Sequence, residues 1–382
     1  MRQQDNGRQR QSGMVALFVV MFSTVLITVL TVSFIRLMVQ EQQRASNNDL
    51  SQSAYDSAVS GVEDGKRVIR AALSGNVRAR QAIDQQRCNT VAAAGIVNST
   101  RGETVIKTNG GSNTLNQAYT CVKIKAQTDD VLLDLPDSQS TVVPLTSAAP
   151  FNSVQVEWMR KKNDGNDVAS IEAPTTGDLR SLPAKSSWNI NAPGLMRAQA
   201  ILPTKTSISL ADLDTAQVST NFLRPSIISD GAGVTPVIRS ALRANSDAGS
   251  QTAVNAVPCS NARYRSGDYA CQAVLKMNSG AVPAGSRVAF LRLTSLYKAS
   301  AVKITLKQDN TTVKFDTVQP EIDSTGRADV IFRRIKSRVN VGFNTDGSFI
   351  FPEHGVDITG SLCKNFYVTD NESGSSGSSC TP

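Results

Sequence analysis

The sequence predicts an α+β protein: a long N-terminal helix, transmembrane at first and amphipathic afterwards, followed by a disulfide-bearing, mainly antiparallel β domain. Three observations carry this. Met14 to Ile35 is a run of 22 residues without a charge, 14 of them Val, Leu, Ile or Phe. Beyond it the apolar residues first recur at separations of three and four, as on one face of a helix, and later alternate at period two, as on one face of a strand. Six cysteines, an even number, are spread from Cys88 to Cys380.

Residues 1–13 form a short basic N-terminus, with Arg2, Arg8 and Arg10 against the single acid Asp5. Residues 14–35 follow as the membrane helix, long enough at about 1.5 Å per residue to cross the roughly 30 Å hydrocarbon core. Crediting each Val, Leu, Ile and Phe with about −0.3 to −0.6 kcal/mol gives roughly −4 to −8 kcal/mol for insertion. From that total the hydroxyls of Ser23, Thr24, Thr28, Thr31 and Ser33 subtract a little. The positive-inside rule keeps the first 13 residues cytoplasmic and sends the remainder, with every cysteine, into an oxidising compartment. The run is too long for the apolar region of a cleavable signal, and no Ala-x-Ala site follows it.

Residues 36–87 continue the helix as an amphipathic half. Leu50, Ala54, Ala58, Val62, Ile69 and Leu73 sit on one stripe able to pack against a folded domain, while Gly61 and Gly65 leave room for a bend. Residues 88–168 read as a first strand-rich segment, 169–257 as a loop-rich middle or insertion, and 258–382 as a second strand-rich segment. Strands are expected at Val154, Val156 and Trp158, at Val302, Ile304 and Leu306, and at Val339, Val341 and Phe343, each run with mostly polar residues between. Turn residues at Asn163-Asp164-Gly165, Gln308-Asp309-Asn310 and Asp346-Gly347 favour antiparallel hairpins. The cysteines Cys88, Cys121, Cys259, Cys271, Cys363 and Cys380 lack the close C-x-x-C spacing of zinc or redox centres and admit 15 disulfide pairings. Chain order favours Cys88 with Cys121, Cys259 with Cys271, and Cys363 with Cys380, the last clipping back a Gly/Ser tail.

The junction Arg10-Gln11-Ser12-Gly13-Met14-Val15-Ala16-Leu17-Phe18 resembles the processing site of type IV prepilins, in which a short basic leader ends in glycine just before an apolar helix. The resemblance implies that prepilin peptidase cuts after Gly13 and leaves Met14 as an N-methylated terminus. Glycine suits a scissile position because extended backbone without a Cβ can enter a protease closely. Ala54, Ala58, Gly61 and Glu63 resemble the alanine-rich stretch and Gly-x-Glu of PilX-like and K-type minor pilins, and a Cys363–Cys380 link would resemble the C-terminal cysteine loop of many pilins. Major pilins carry glutamate at the fifth mature position, to neutralise a neighbour's terminal ammonium inside the filament. Here that position is Phe18. A subunit without that carboxylate leaves a buried charge unpaired in a repeating shaft, a cost it avoids at the tip. The resemblance therefore implies a minor pilin or pseudopilin acting in assembly initiation or adhesion, whose partners are other pilin subunits, prepilin peptidase, the pilus assembly platform and the membrane. A signal-anchored surface-binding protein that never enters a filament fits the same hydropathy.

Other chemistry finds little material. His354 is the single histidine, no G-x-S-x-G or H-E-x-x-H motif is present, and no cofactor or metal is expected, so the chain reads as a non-enzyme. Asp129, Asp130 and Asp134, like Asp164, Asn166 and Asp167, fit ordinary turns better than a calcium loop. Arg334, Lys336 and Arg338 alternate and would place three cations on one strand face, an arrangement that can meet nucleic-acid phosphates. A salt-bridged sheet face is the preferred reading of that ladder, with nucleic acid a secondary one.

Overall fold

The computed structural model describes residues 9–99, 102–106, 116–163, 167–173, 182–206, 218–227, 237–239, 252–277 and 280–340. Helix α1 (Gln9–Leu73) comes first, then the short helices α2 (Val77–Asp84) and α3 (Thr90–Ala93). The strands follow as β1 (Thr104–Val105), β2 (Gln117–Thr128), β3 (Val131–Leu135), β4 (Ser140–Pro144), β5 (Ser153–Arg160), β6 (Leu195–Ile201), β7 (Val218–Ile227), β8 (Val237–Arg239), β9 (Thr252–Cys259), β10 (Tyr269–Lys276), β11 (Phe290–Leu296), β12 (Ser300–Gln308), β13 (Thr311–Val313), β14 (Phe315–Ala328) and β15 (Ile331–Arg338). This is an α+β chain in which a long apolar helix precedes mainly antiparallel sheet. Two disulfides are present, Cys88–Cys121 and Cys259–Cys271. Cys363, Cys380, the Gly/Ser tail, Asp164 and Asn166 lie outside the described residues.

The chain divides into two compact units, one of residues 1–126 with 319–341 and one of 127–318 with 342–382. The first unit is thus built from both ends of the described sequence. Its sheet has the order β1-β2-β14-β15, and α1 runs along it. Close approach explains the composition of the helix. An added Cβ at Gly61 would meet Val122 Cγ2 at 3.0 Å, and one at Gly65 would meet Ile322 Cγ2 at 3.0 Å. From the sheet side Gly326 faces Ala54, Ser57 and Ala58, where a Cβ would fall 2.8 Å from the Ser57 carbonyl carbon. The glycines therefore serve contact and not a bend, and α1 stays continuous through both. Ala54, Ala58, Val62, Val68, Ile69 and Ala72 are buried on this side. Tyr119 on β2 donates its hydroxyl to Asp64 Oδ2 at 2.8 Å, fastening strand to helix, and burial pushes its phenol pKa up. Past Leu73, Gly75 takes φ +91°, and the Asn76 amide reaches the Ala71 carbonyl at 3.0 Å. Such a left-handed glycine closes a helix while satisfying its last carbonyls. Asn76 then caps α2 by accepting from Ala79 N at 3.1 Å.

The second unit holds a sheet of order β13-β12-β5-β10-β9-β7-β6-β11-β4, with β3 added to β12 and β8 to β10. Strands β11 and β12 are joined by only Tyr297, Lys298 and Ala299, yet stand far apart in that order. So short a link brings strands together in space only if the sheet curls over. One cluster accordingly contains Val156, Trp158, Ile304, Met196, Leu223 and Leu293, drawn from both halves of the order. The halves meet where Cys271 on β10 pairs with Cys259 on β9, and the disulfide joins that same pair. Strand β5 lies between β10 and β12, and Ser153 to Met159 are all buried. The expected alternation of Val154, Val156 and Trp158 is there, but Gln155 and Glu157 are covered as well. Strand β15 takes up Arg334, Lys336 and Arg338, whose alternation suggests a strand; Val339 follows it, buried, donating to the Pro320 carbonyl at 3.0 Å, and Val341 and Phe343 of the strand expected next lie outside the described residues.

Candidate functional site

Helix α1 carries the candidate processing and assembly positions. It begins at Gln9, so Gly13 and Met14 lie in helical backbone. A peptidase acting after Gly13 would first unwind this end, where glycine in place of alanine already makes helix weaker by up to about 1 kcal/mol. Phe18 lies four residues, about 6 Å of helix axis, beyond Met14 and on the same face. Its ring is 51% exposed. Where a glutamate would reach toward a terminal ammonium, the helix presents an aromatic surface.

From Val15 to Val39 every Val, Leu, Ile, Phe and Met side chain is at least 47% exposed. Together they offer apolar surface on the order of 1,500 Å², beyond the few hundred Å² that soluble monomers leave open. At about 25 cal/mol per Å², hydrating that surface costs tens of kcal/mol. This is the one helix, among the described residues, long and apolar enough to cross a membrane. The hydroxyls on it are internally satisfied. Thr24 donates to Met21 O at 2.8 Å, Thr28 to Val25 O at 2.7 Å, Thr31 to Ile27 O at 2.8 Å and Ser33 to Val29 O at 2.8 Å. Back-bonding of this kind removes much of the penalty of a hydroxyl in hydrocarbon.

The alternating cations lie on β15, the edge of the first unit's sheet. Arg334 Nε donates to Asp323 Oδ1 at 2.7 Å, and a second guanidinium nitrogen reaches Oδ2. Lys336 reaches Glu321 at 3.3 Å, and Arg338 stands opposite Glu321 in the β14–β15 register. The Arg334 hydrogen bonds hold the Asp323 carboxyl below its ordinary pKa, against the opposing effect of burial. The ladder is therefore a cross-strand ion-pair face. Charges along an edge strand also discourage pairing with a foreign strand. Arg333, on the opposite side of β15, bonds Ser51 of α1 at 2.8 Å.

Two arrangements in the second unit had no signal in the sequence reading. Glu157, 7% exposed, is held by Lys303 at 2.7 Å and Arg263 at 3.1 Å, and Arg263 also donates to Gln272 at 2.7 Å. Lys303 and Arg160 both lie over the Tyr269 ring, at 5.2 and 5.8 Å. The second arrangement is a cavity of about 430 Å³ at the ends of β3 and β5 and the start of β12. Among the described residues no group of His, Cys, Asp and Glu is placed to hold a metal ion. Asp134 lies within β3 and not in a turn, pairing with Lys162 at 3.0 Å, and Asp167 accepts from the Asn163 amide.

Compared with family models, characterised proteins and solved structures, this chain matches none. Its function has therefore to be argued from the helix and the two units themselves.

Proposed function

We propose that this chain is a minor type IV pilin that acts at or near the filament tip in assembly initiation, after removal of residues 1–13. What carries the reading is the division of labour along one unbroken helix. Its first part exposes apolar side chains all round, and its second part is fitted to a sheet through Ala54, Ala58, Gly61 and Gly65. Such a helix is stable in a bilayer, and equally stable when the apolar helices of neighbouring subunits replace the lipid. The packed half carries the sheet of the first unit along with it as this exchange takes place. Phe18 favours the tip, because a subunit that supplies no carboxylate to a neighbour's ammonium is least costly where no subunit lies ahead. The partners of this reading are other pilin subunits, prepilin peptidase and the assembly platform.

The decisive measurement is the mass of the N-terminal peptide of the protein purified from its own membranes, beside that of Gly13→Leu. The expected result is a methylated chain starting at Met14, absent from the variant. A start at Met1 or Arg2 in both proteins overturns the proposal and leaves a signal-anchored surface-binding protein.

A further inference from the structure

The cavity of the second unit is lined by apolar groups, among them Leu135, Met159, Val168 and Ala301, and by the cations Arg160, Lys162 and Lys298. Its volume, about 430 Å³, lies within the range usual for small-molecule sites. Two carboxylates also line it against these three cations; Asp134 is neutralised by a lysine, whereas Asp167 has only a neutral donor and keeps its charge, so the lining carries one net positive charge. Asp134 pairs with Lys162, and Asp167 accepts from the Asn163 backbone. The other two cations have only neutral acceptors. Arg160 Nε donates to the Gly267 carbonyl at 2.7 Å, and Lys298 Nζ to the Ile190 carbonyl at 2.9 Å. Among the described residues no carboxylate lies within ion-pair distance of either one. Lys298 is half-buried, and burial alone draws its ammonium pKa down. A charge taken partly out of water without a counter-charge is costly, and an anion bound beside it would relieve that cost.

Two of the left-handed non-glycine residues lie at this cavity. Met159 in the cavity wall has φ +63°, and Tyr297, next to Lys298, has φ +73°. Left-handed backbone at residues with large side chains costs of order 1 kcal/mol each and gathers at functional sites.

We infer that this cavity binds a small organic carboxylate, with its apolar body against Met159, Leu135 and Ala301 and its carboxylate between Lys298 and Arg160. Lys162, already neutralised by Asp134, adds little. The inference rests on the second unit alone and holds whether or not α1 enters a filament.

The test uses the full chain in lipid nanodiscs with ¹³C-methyl methionine, the Met159 signal being assigned through Met159→Leu. 4-Phenylbutyrate is titrated against 4-phenylbutyramide, which has the same apolar body without the charge. The carboxylate should shift the Met159 methyl saturably, and the amide should bind at least tenfold more weakly. Lys298→Met should weaken the carboxylate tenfold or more, and Lys162→Gln should change it less than threefold. Ala301→Leu, which fills the cavity without touching a charge, should abolish the shift and serves if Lys298→Met does not fold. Equal binding of acid and amide, an unchanged affinity in Lys298→Met, or no saturable Met159 shift each overturns the inference.

Discussion

Gly326→Ala removes the closest approach in the first unit and is the most informative substitution there. Gly326 is not in left-handed backbone, so alanine meets no conformational penalty and the whole effect is steric. The new methyl would lie under 3 Å from Ala54 O, Ala58 N and the Ser57 carbonyl carbon. These are helix backbone atoms, which cannot rotate aside as a side chain can. Helix and strand must part by roughly 1 Å, and a gap of that size forfeits a quarter to a half of the dispersion energy across the contact. Overpacking of this kind costs about 1–3 kcal/mol, and rigid neighbours place it near the upper end. A gain of about 0.4–1 kcal/mol, from restricting the unfolded chain, opposes it. The net expectation is about 2 kcal/mol, or on the order of 30-fold in the opening equilibrium of α1 against the sheet. Hydrogen exchange of the full chain in nanodiscs reads this directly in peptides covering Ala54 to Ala72. Gly65→Ala is the control. There the nearest atoms are Ile322 methyls at 3.0 and 3.1 Å, which can turn away, and helix propensity favours alanine by up to about 1 kcal/mol. If Gly326→Ala exchanges at the wild-type rate, or no faster than Gly65→Ala, the close-packed seam is not what holds the helix.

Glu157→Gln should cost about 3 kcal/mol in urea unfolding by leaving Lys303 and Arg263 beside a neutral amide, whereas Glu157→Leu with Lys303→Met should recover most of the loss. Three kilocalories is the low end for a broken buried pair, since Lys303 keeps 28% of its side-chain exposure. The Asp323 carboxyl has a depressed folded pKa, so the stability it contributes is present above about pH 4 and is lost as the pH falls through the folded value. An acid titration of unfolding should therefore be flatter below about pH 4 in Asp323→Asn than in the wild type, and identical slopes would remove the Arg334 pair from the account. Phe18→Glu supplies the carboxylate that the resemblance finds missing. It should raise the number of copies along each filament, counted by immunogold labelling, and an unchanged count would argue that Phe18 does not set the tip position.

A helix long and apolar enough to cross a membrane is legible in the sequence from its chargeless run of 22 residues, and the hydroxyls within it turn out to bond backward along the same helix. The strands around Val156 and Ile304 are legible from alternation. Alternation reports that a strand has a buried face, however, and is silent about the other. Strand β5 hides Gln155 and Glu157 too, because cations from β12 and from the short helix Asn261–Arg265 cover that side. The edge strand β15 is legible from its charges more than from its apolar residues. Its helix-facing positions are Ile331, Arg333, Ile335 and Ser337, and one of these is a long cationic arm reaching Ser51. Apolar periodicity is diluted there, and the alternation of Arg334, Lys336 and Arg338 is the signal that remains. The ion partners of Arg334 and Lys336 become visible only once β14 and β15 are paired, since Asp323 and Glu321 lie 11 and 15 residues earlier.

The same geometry sorts the residues that carry the pilin resemblance. Ala54, Ala58 and Gly61 are small because β14 and β2 pass against them: Gly326 meets the first two, Ser324 and Val122 the third. Any helix accepting a strand at that distance needs small residues at those positions, whatever the protein does, so this part of the pattern is accounted for by packing alone. Glu63 is different. It is exposed, pairs among the described residues with Lys66 one turn along at 2.6 Å, and contributes little to stability from there. Phe18 is likewise exposed, and packing within the described residues does not dictate its identity. The weight of the proposed function therefore falls on the first turns of α1, where Phe18, the fifth residue after Gly13, is an exposed aromatic that packing does not explain. That is where the N-terminal mass measurement acts, and a change there leaves the seam between helix and sheet untouched.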